Sequence, residues 1–429
     1  MAKVIPNTKT NKKAVQVSAQ INEDLFSAKD FMLLQRVVRR INSILDLDEL
    51  LNQIIKDASK TLGFEKCGVL LYDEKANEFE LVAVTGWEDK VHQVGTRFKK
   101  DVGVVWRAFH KQKPIYYPDI YEFPEEIHCD FTSRSHIDIP LVSKGKIIGI
   151  FNAQHNNVDG FSKQKIKVLK ALAAHVSVAI QNAMLYKSEK EEKEIIIRDL
   201  QEAKQMQKRL FPAESPKINN FNIAGICEPC LEVGGDWYDY IELPSGKIGV
   251  VLGDVAGKGL GAAFLMSSAR MIMRMIATQE ESPAKVLQKV NSILAADMPA
   301  AKFITLVYVV VDPKSRSMTI ANAGHLNPTL SKKNELKFLV TERGLPLGIK
   351  DYPYKENKIL LNKDDKLYLY SDGVSEAMNA KREMFEDKRI IESLGKPNAN
   401  YKTLYLDVKN FIGENPPNDD LTIVMIESL

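Results

Sequence analysis

The feature that most constrains this chain is a long helical pattern near its middle. Apolar residues recur at alternating steps of three and four from Ile166 to Ala183, and a second apolar stripe runs from Ile196 to Leu210. Ser162 has the chemistry of an N-cap, and Phe211-Pro212 would end the helix because proline cannot continue it. We therefore predict one unbroken helix from about Ser162 to Leu210.

The length of the chain calls for more than one folded domain. Its 429 residues exceed what a single hydrophobic core usually supports, and at roughly 150 residues per domain they suggest two to three units. Apolar residues make up 45% of the chain, which is enough for ordered cores. We expect a basic flexible tail at 1–28, a first domain at 29–186, a linker helix at 187–212 and a second domain at 213–429.

Charge and cysteine content exclude several classes of protein. The formal net charge of +3 gives no broad attraction to nucleic acid or to anionic lipid. Four scattered cysteines are too few for the disulfide framework of a secreted protein. No continuous apolar run approaches the ~18 residues of a membrane span, and the N-terminus lacks the apolar segment of a signal peptide. We predict a cytoplasmic protein without nucleic-acid or membrane partners.

The apolar stripe of the long helix is typical of a helix that pairs with another helix. The charged stretch Lys187 to Glu194 interrupts it, and the second stripe resumes in a shifted register that Gln207 weakens. A parallel homodimer with a register discontinuity is one interpretation, since a shifted stripe can pair in more than one way. A solvated spacer helix is the other.

The first domain has an α+β pattern. Two amphipathic helices lie between Lys29 and Leu62, and short strand patterns with Gly or charged turns follow them. Helices before a mainly antiparallel sheet, with a closing helix, indicate an α+β fold. The strand patterns are Cys67–Tyr72, Phe79–Thr85, Ile137–Val142 and Ile147–Asn152.

This half resembles a GAF domain. The resemblance rests on the opening helices, the run Gly95 to Lys111, and the hairpin from Ile139–Val142 to Ile147–Ile150. It implies a sensor domain that binds a small, unknown ligand or only dimerises, and the sequence does not choose between these roles. The cysteines and histidines of this half lack metal-ligand spacing, so we expect them to be structural. They are Cys67, His92, His110, His128, Cys129 and His136.

The second domain combines many strands with two helical blocks. Sheets packed together with helices outside are the expected arrangement. In the second block Ser282 can cap the helix and Pro283 fits its first position. The helices are expected at Leu260–Ala277 and Pro283–Ala296, and the strands at Phe221–Ile226, Ile248–Leu252, Phe303–Val311, Met318–Ala323, Lys366–Tyr370 and Leu421–Ile426.

Four aspartates stand where apolar strands begin or end, each beside glycine or another carboxylate. They are Asp236, Asp254, Asp372 and Asp419. Any one alone is more simply a turn residue, but four together suggest a shared cleft. Carboxylate sites without His or Cys suit hard cations such as Mg²⁺ or Mn²⁺. Two such ions about 4 Å apart can activate water and clamp a phosphoryl group, which predicts phosphate-ester hydrolysis.

The motifs around these aspartates resemble those of the PPM phosphatases, in their bacterial branch that regulates sigma factors. The resemblance implies an α-β-β-α sandwich and covers most of Leu210 to Ile426. The blocks that carry it are Gln207–Pro212, Glu232–Asp239, Gly253–Gly259, Asn322–His325, Gly344–Gly348, Ser371–Ala377 and Asp419–Thr422.

By that resemblance two Mn²⁺ or Mg²⁺ ions bind to a defined set of ligands. Asp254 should bridge them, and Asp236 and Asp254 act in catalysis through metal-bound water that attacks phosphoserine or phosphothreonine directly. Asp420 is adjacent to Asp419 and stays an alternative to it. The implied ligands are Asp236, Asp254, Asp372, Asp419 and the backbone carbonyl of Val255.

Two family features are missing from the sequence. Larger members have a phosphate-binding Arg and an acidic His, whereas Glu228, Glu232 and Ala256 stand in those neighbourhoods here. The general acid is therefore unassigned. His325 could serve, but a His in a Gly-containing strand turn is more often structural, so it is not counted among the site residues.

Other interpretations fit fewer residues. Gly234-Gly235-Asp236 is similar to a diguanylate cyclase motif, but Trp237-Tyr238 replaces the expected acidic residue and Phe. Gly257-Lys258-Gly259 lacks the rest of a P-loop, and Cys227 with Cys230 lacks a second metal-binding pair. A catalytically inactive phosphoprotein-binding regulator remains a second class of hypothesis.

The family resemblance also implies a partner and a mode of control. The expected substrate is a phosphorylated regulatory protein of the anti-sigma-factor-antagonist type. We expect the GAF-like domain to act through the linker helix on the Leu260–Ala277 helix beside Asp254.

Overall fold

The computed structural model describes residues 28–62, 64–88, 92–123, 132–333 and 335–429. Almost all of the predicted tail lies outside the described residues, as do His128 and Cys129. The chain divides into two compact units, Met1–Glu194 and Ile195–Leu429. Each unit has its own sheets and its own core.

The first unit is an α+β domain around a six-stranded antiparallel sheet with the order β3-β2-β1-β6-β5-β4. One face packs against helices around Leu50, Ile54 and Leu169, and the other packs against a short helix through Trp106. Its elements are α1 (Ala28–Ile41), α2 (Leu47–Leu62), β1 (Lys66–Asp73), β2 (Glu78–Thr85), β3 (Arg97–Phe98), α3 (Val105–Lys111), β4 (Ile115–Tyr117), β5 (Ser135–Ser143) and β6 (Lys146–His155).

Cys67 and His92 of this unit have structural surroundings. Cys67 is buried, donates to the Ile55 carbonyl, and has a pKa raised to about 12 by that burial. His92 stacks on Trp87, with ring centroids 4.8 Å apart. Neither arrangement provides a metal ligand set.

The predicted long helix is present as α4 (Lys163–Lys208), 46 residues without a break. The Ser162 hydroxyl accepts a 3.2 Å hydrogen bond from the backbone N–H of Lys165, so the predicted N-cap is confirmed. The helix ends just before Phe211-Pro212, where sequence places the stop.

The second unit is an α-β-β-α sandwich, as the sequence predicts. Its sheets have the orders β14-β11-β10-β9-β8 and β13-β12-β15-β16-β7. The strands are β7 (Phe221–Glu228), β8 (Trp237–Glu242), β9 (Ile248–Val255), β10 (Ile304–Asp312), β11 (Ser317–Ala323), β12 (Thr329–Lys332), β13 (Glu335–Phe338), β14 (Glu356–Leu360), β15 (Lys366–Tyr370) and β16 (Leu421–Ser428). The helices are α5 (Leu260–Ala277), α6 (Pro283–Asp297), α7 (Asp372–Ser375), α8 (Glu386–Leu394) and α9 (Tyr401–Ile412).

Alternation along the central strands builds the layers of the sandwich. In β10, Val307 and Val309 point into the core between the two sheets, whereas Leu306 and Tyr308 pack under α5 and α6. Both faces of this strand are buried, which explains its continuous apolar sequence. The outer face of the second sheet packs against α9 through Leu404 and Val408. Ser282 caps α6, as predicted, by accepting from the Lys285 N–H.

Two helices of the described residues, α4 and α5, are long and apolar enough by composition alone to count as possible membrane spans. The sequence predicts no membrane span, because charged residues interrupt every apolar run. The mean hydropathy of these two helices is nevertheless high enough for a span. Helix α5 carries Arg270 and Arg274, which pair with the fully buried carboxylate of Asp239. A helix whose apolar face packs on a sheet can have the same length and mean hydropathy as a membrane span. The two helices are therefore weak evidence for a membrane.

Candidate metal centre

Asp236 lies on the loop that leads into β8, at the edge where the two sheets meet. Its side chain is buried, and Thr422 of β16 donates a 2.6 Å hydrogen bond to its Oδ2. Gly235 beside it is tightly packed, since a Cβ would lie 3.0 Å from the Val255 carbonyl oxygen. The loop therefore approaches the end of β9 closely.

Asp254 is the next-to-last residue of β9. Thr305 of β10 is its partner in the antiparallel register, and Gly253 faces Trp237 in the pairing with β8. The carbonyl of Val255 faces Gly235, on the same side as Asp236. The first sheet thus brings Asp236, Asp254 and the Val255 carbonyl to one end.

The second sheet contributes Asp372 and Asp419. Asp372 begins α7 immediately after β15, and Asp419 precedes β16, the neighbour of β15. Gly373 packs against the backbone that follows Asp419: a Cβ there would lie 2.0 Å from the Asp420 carbonyl oxygen. Only glycine permits this contact, which keeps the two aspartate-bearing segments together.

Asp420 has a different role from its neighbour. Its Oδ2 accepts hydrogen bonds from the N–H groups of Gly235 (2.8 Å) and Asp236 (3.2 Å), and its Oδ1 accepts from Cys230 (2.8 Å). A carboxylate with three backbone donors holds the loop before β8 in place. Asp419, in contrast, is partly exposed and forms a 2.9 Å ion pair with Lys258.

The aspartates influence one another electrostatically. Burial, followed by the charges of Asp372 and Asp419, raises the pKa of Asp254 to about 7. Burial and the Asp419 charge raise the pKa of Asp372 to about 6. Burial, followed by the charges of Asp254 and Asp420, raises the pKa of Asp236 well above its usual range. Beyond burial, the pKa values rise because these carboxylates lie close to one another and are not matched by an equal number of basic side chains.

This donor set fits divalent cations. The four aspartates offer oxygen ligands, which hard ions such as Mg²⁺ and Mn²⁺ prefer, and bound cations would offset the repulsion between the carboxylates. Among the described residues, the group of possible ligand atoms that lie within 4.8 Å of one another is Cys230, Asp419 and Asp420, and it does not include Asp236, Asp254 or Asp372. The sequence left Cys230 aside as a ligand.

Two residues that sequence reasoning undervalued support the segments that carry Asp236 and Asp419. Gln207, near the end of α4, makes hydrogen bonds in both directions with the Gly234 peptide, at 2.8 and 3.1 Å. Lys258 pairs with Asp419 at the rim of the centre. Gln207 looked like a weak point in an apolar stripe, because nothing in helical periodicity reveals a buried amide partner.

Glu228, in the neighbourhood where a phosphate-binding Arg is missing, is used for packing. Glu228 accepts hydrogen bonds from Tyr405 and from Lys409 (3.1 Å), both on α9. These contacts attach α9 to β7. His325 is also structural in its surroundings, since it is buried and hydrogen-bonded on both ring nitrogens.

The comparisons agree with this architecture. Residues 244–428 match the family model of stage II sporulation protein E (SpoIIE), and residues 44–181 match a GAF domain model. The chain carries a GAF domain and a SpoIIE domain. The SpoIIE match includes Asp254, Asp372 and Asp419, whereas Asp236 lies just before it.

Relatives of the SpoIIE domain include named phosphatases. Phosphoserine phosphatase RsbU of Bacillus subtilis is 31% identical over 181 residues, which are 42% of this chain and 53% of that protein. Phosphoserine phosphatase RsbP of the same organism is 26% identical over 183 residues, covering 41% of this chain and 45% of that protein. The chain therefore spans about half the length of these curated relatives. The solved SiaA-PP2C domain of Pseudomonas aeruginosa aligns at 22% identity and a TM-score of 0.49, covering 55% of this chain and 98% of that one.

Proposed function

We propose that the SpoIIE domain is a metal-dependent protein phosphatase that hydrolyses phosphoserine or phosphothreonine on a regulatory protein. The observation that carries this proposal is that Asp372 and Asp419, from two distant parts of the chain, lie close enough to Asp254 for their charges to raise its pKa. The names of the RsbU and RsbP relatives support the same chemistry. A phosphorylated anti-sigma-factor antagonist is the proposed substrate.

We assign the ligands from the contacts of each carboxylate. Asp236, Asp254, Asp372 and Asp419 would hold two Mn²⁺ or Mg²⁺ ions together with the Val255 carbonyl. Asp420 is left out because three backbone N–H groups already occupy its oxygens. When bound, the cations supply Lewis-acid activation of water and neutralise phosphoryl charge. Thr422 and Asp420 hold Asp236 and its loop in position for them.

Activity is tested by phosphate release from a phosphoserine protein with and without Mn²⁺. The proposal requires release that depends on Mn²⁺ and is lost in Asp254→Asn. Binding of the phosphoprotein without any release would favour the inactive regulator instead. The diguanylate cyclase alternative leaves Asp372 and Asp419 without a role.

Control by the GAF domain is the second part of the proposal. The end of α4 holds the Gly234 peptide through Gln207, two residues from Asp236, so a movement of this helix end would reach a metal ligand. Gln207→Ala should change the turnover of the full chain, whereas Gln205→Ala, on the exposed side, should not. Equal turnover of the full chain and the 213–429 fragment would count against control by the GAF domain.

A homodimer is the proposed assembly, with pairing through the GAF domain and α4. Exposed apolar side chains on α4, including Leu185, Ile196 and Met206, offer a surface for it. Ile196→Lys should shift the mass measured by light scattering from dimer towards monomer. We further propose a cytoplasmic location and an unidentified small ligand for the GAF domain.

A further inference from the structure

His325 forms a hydrogen-bonded link between the two sheets of the SpoIIE domain. It lies in the turn after β11, and it is 2% exposed. Its Nδ1 lies 2.8 Å from the Thr305 hydroxyl of the first sheet, and its Nε2 lies 3.2 Å from the Tyr370 carbonyl oxygen of the second sheet. One imidazole ring therefore spans the gap between two sheets.

The chemistry of the partners fixes the tautomer of His325. A carbonyl oxygen only accepts hydrogen bonds, so the ring proton must be on Nε2, facing Tyr370. Nδ1 is then a bare acceptor, and the Thr305 hydroxyl donates to it. Burial lowers the pKa of His325 to about 4, so the ring is neutral near pH 7 and carries a single proton. A neutral ring of this tautomer satisfies both contacts.

Each partner of His325 is next to a proposed metal ligand. Thr305 is opposite Asp254 in the β9–β10 register, and directly opposed residues have Cβ atoms about 5 Å apart. Tyr370 ends β15, two residues before Asp372. The path from Asp254 through Thr305, His325 and Tyr370 to Asp372 thus crosses between the sheets at the point where the carboxylates meet.

The turn that carries His325 is itself held firmly. The Asn322 side chain accepts from the His325 N–H at 2.7 Å and donates to the His325 carbonyl at 3.1 Å. Gly324 adopts a φ of +73°, and a Cβ there would lie 2.6 Å from Pro346 Cγ. This tight turn fixes the position of the His325 backbone. A fixed backbone is needed if the ring is to hold the two sheets at a defined separation.

We propose that His325 is a positioning residue that sets the separation of Asp254 and Asp372 and thereby the affinity of the site for divalent cations. The inference rests on the proposed function, because it concerns the same carboxylates. It assigns no proton transfer to His325, since the ring is buried and both nitrogens are occupied.

The test compares Mn²⁺ binding to full-length variants, measured by electron paramagnetic resonance of free Mn²⁺. Thr305→Val replaces the hydroxyl with a methyl group, and we expect it to weaken Mn²⁺ binding about three- to tenfold, the usual range for one hydrogen bond. Thr305→Ser keeps the hydroxyl and should bind Mn²⁺ like the wild type. His325→Leu should weaken binding at least as much, and adding Thr305→Val to it should cause little further loss.

A purely structural role predicts a different result. It would lower the unfolding temperature in EDTA for Thr305→Val and His325→Leu while leaving Mn²⁺ affinity unchanged, and that outcome would overturn the proposal. Wild-type protein that binds Mn²⁺ but releases no phosphate would count against the proposed function only. Wild-type activity together with unchanged Mn²⁺ affinity in Thr305→Val would count against the role of His325 only.

Discussion

Thr422 donates a 2.6 Å hydrogen bond to Oδ2 of Asp236, although 186 residues separate them in the chain. The hydroxyl has a single proton, so this short contact outweighs the 3.2 Å approach to Cys227 Sγ. The bond stabilises the ionised form of Asp236, in which it can bind a cation.

Removal of this donor should weaken the metal centre without unfolding the domain. We expect Thr422→Val to need about tenfold more Mn²⁺ for half-maximal phosphate release, because a hydrogen bond to a charged group is worth more than a neutral one. Thr422→Ser retains the hydroxyl and should behave like the wild type. If Thr422→Val and the wild type gave identical Mn²⁺ titrations, this hydrogen bond would have no part in metal binding.

Asp254 is the carboxylate on which the proposed chemistry depends most. Asp254→Asn should reduce phosphate release by about a thousandfold, since it removes a ligand and a charge from a site that must hold dications. Asp364→Asn is a matched control: this exposed aspartate has a φ of +67°, a conformation that asparagine tolerates. Comparable losses in both variants would mean that the assay reports folding rather than the site.

The pH dependence follows from the raised pKa values of the buried carboxylates. Metal-free folded protein keeps protons on Asp254 up to about pH 7 and on Asp372 up to about pH 6, whereas the unfolded chain loses them near pH 4. The folded state therefore binds more protons in this range, and its stability should fall as the pH rises from about 4 to 7.

Mn²⁺ should reverse that trend, because it binds the deprotonated carboxylates. We expect the Mn²⁺-induced rise in unfolding temperature to be small at about pH 5.5 and much larger at about pH 7.5. Scanning fluorimetry with and without EDTA measures both effects. A shift that does not change with pH would contradict the placement of these carboxylates around a cation.

Gly373 tests the close contact between the segments that carry Asp372 and Asp419. Gly373→Ala should destabilise the domain by more than about 2 kcal/mol, because its Cβ would lie 2.0 Å from a backbone oxygen. Gly261→Ala is the control, since it lies in α5 with no atom within 4 Å of the new Cβ. That variant should be stabilised by about 0.5–1 kcal/mol, as expected for alanine in a helix. Urea unfolding distinguishes the two.

The buried charge of Asp239 should matter far more than exposed ion pairs. Arg274 donates to both of its oxygens at 2.6 and 2.8 Å, which fixes α5 against β8. Asp239→Asn should cost about 3 kcal/mol, because it leaves Arg270 with a poorly compensated charge. Lys247→Ala removes a surface partner of Glu281 and should cost less than about 1 kcal/mol. Equal losses in urea unfolding would contradict this difference.

Periodicity and turn chemistry predicted the long elements well. Helix α5 has the predicted bounds, and Ser162 and Ser282 cap their helices as expected. Helix α9 was missed, although Asn400 and Thr403 form a capping box at its start. The short strands β12 to β14 were also missed, because strands of four or five residues carry little periodic signal.

The sequence predicts the aspartates as a set, but it does not predict the residues that support them. Strand-terminal aspartates are visible in the sequence because glycine and apolar runs frame them. The hydrogen bonds of Gln207, Asp420 and Thr422 join positions that are distant in sequence, so no local pattern reports them. His325 was judged structural from its turn, and that interpretation agrees with its burial.

Strand β16 lies between β7 and β15, so the second sheet is incomplete until residues 421–428 have been made. A ribosome must finish almost the whole SpoIIE domain before Thr422 and Asp420 can reach the loop of Asp236. A nascent chain that stalls earlier would thus leave that loop without its supports. The proposed active site could form only after this last strand has been synthesised.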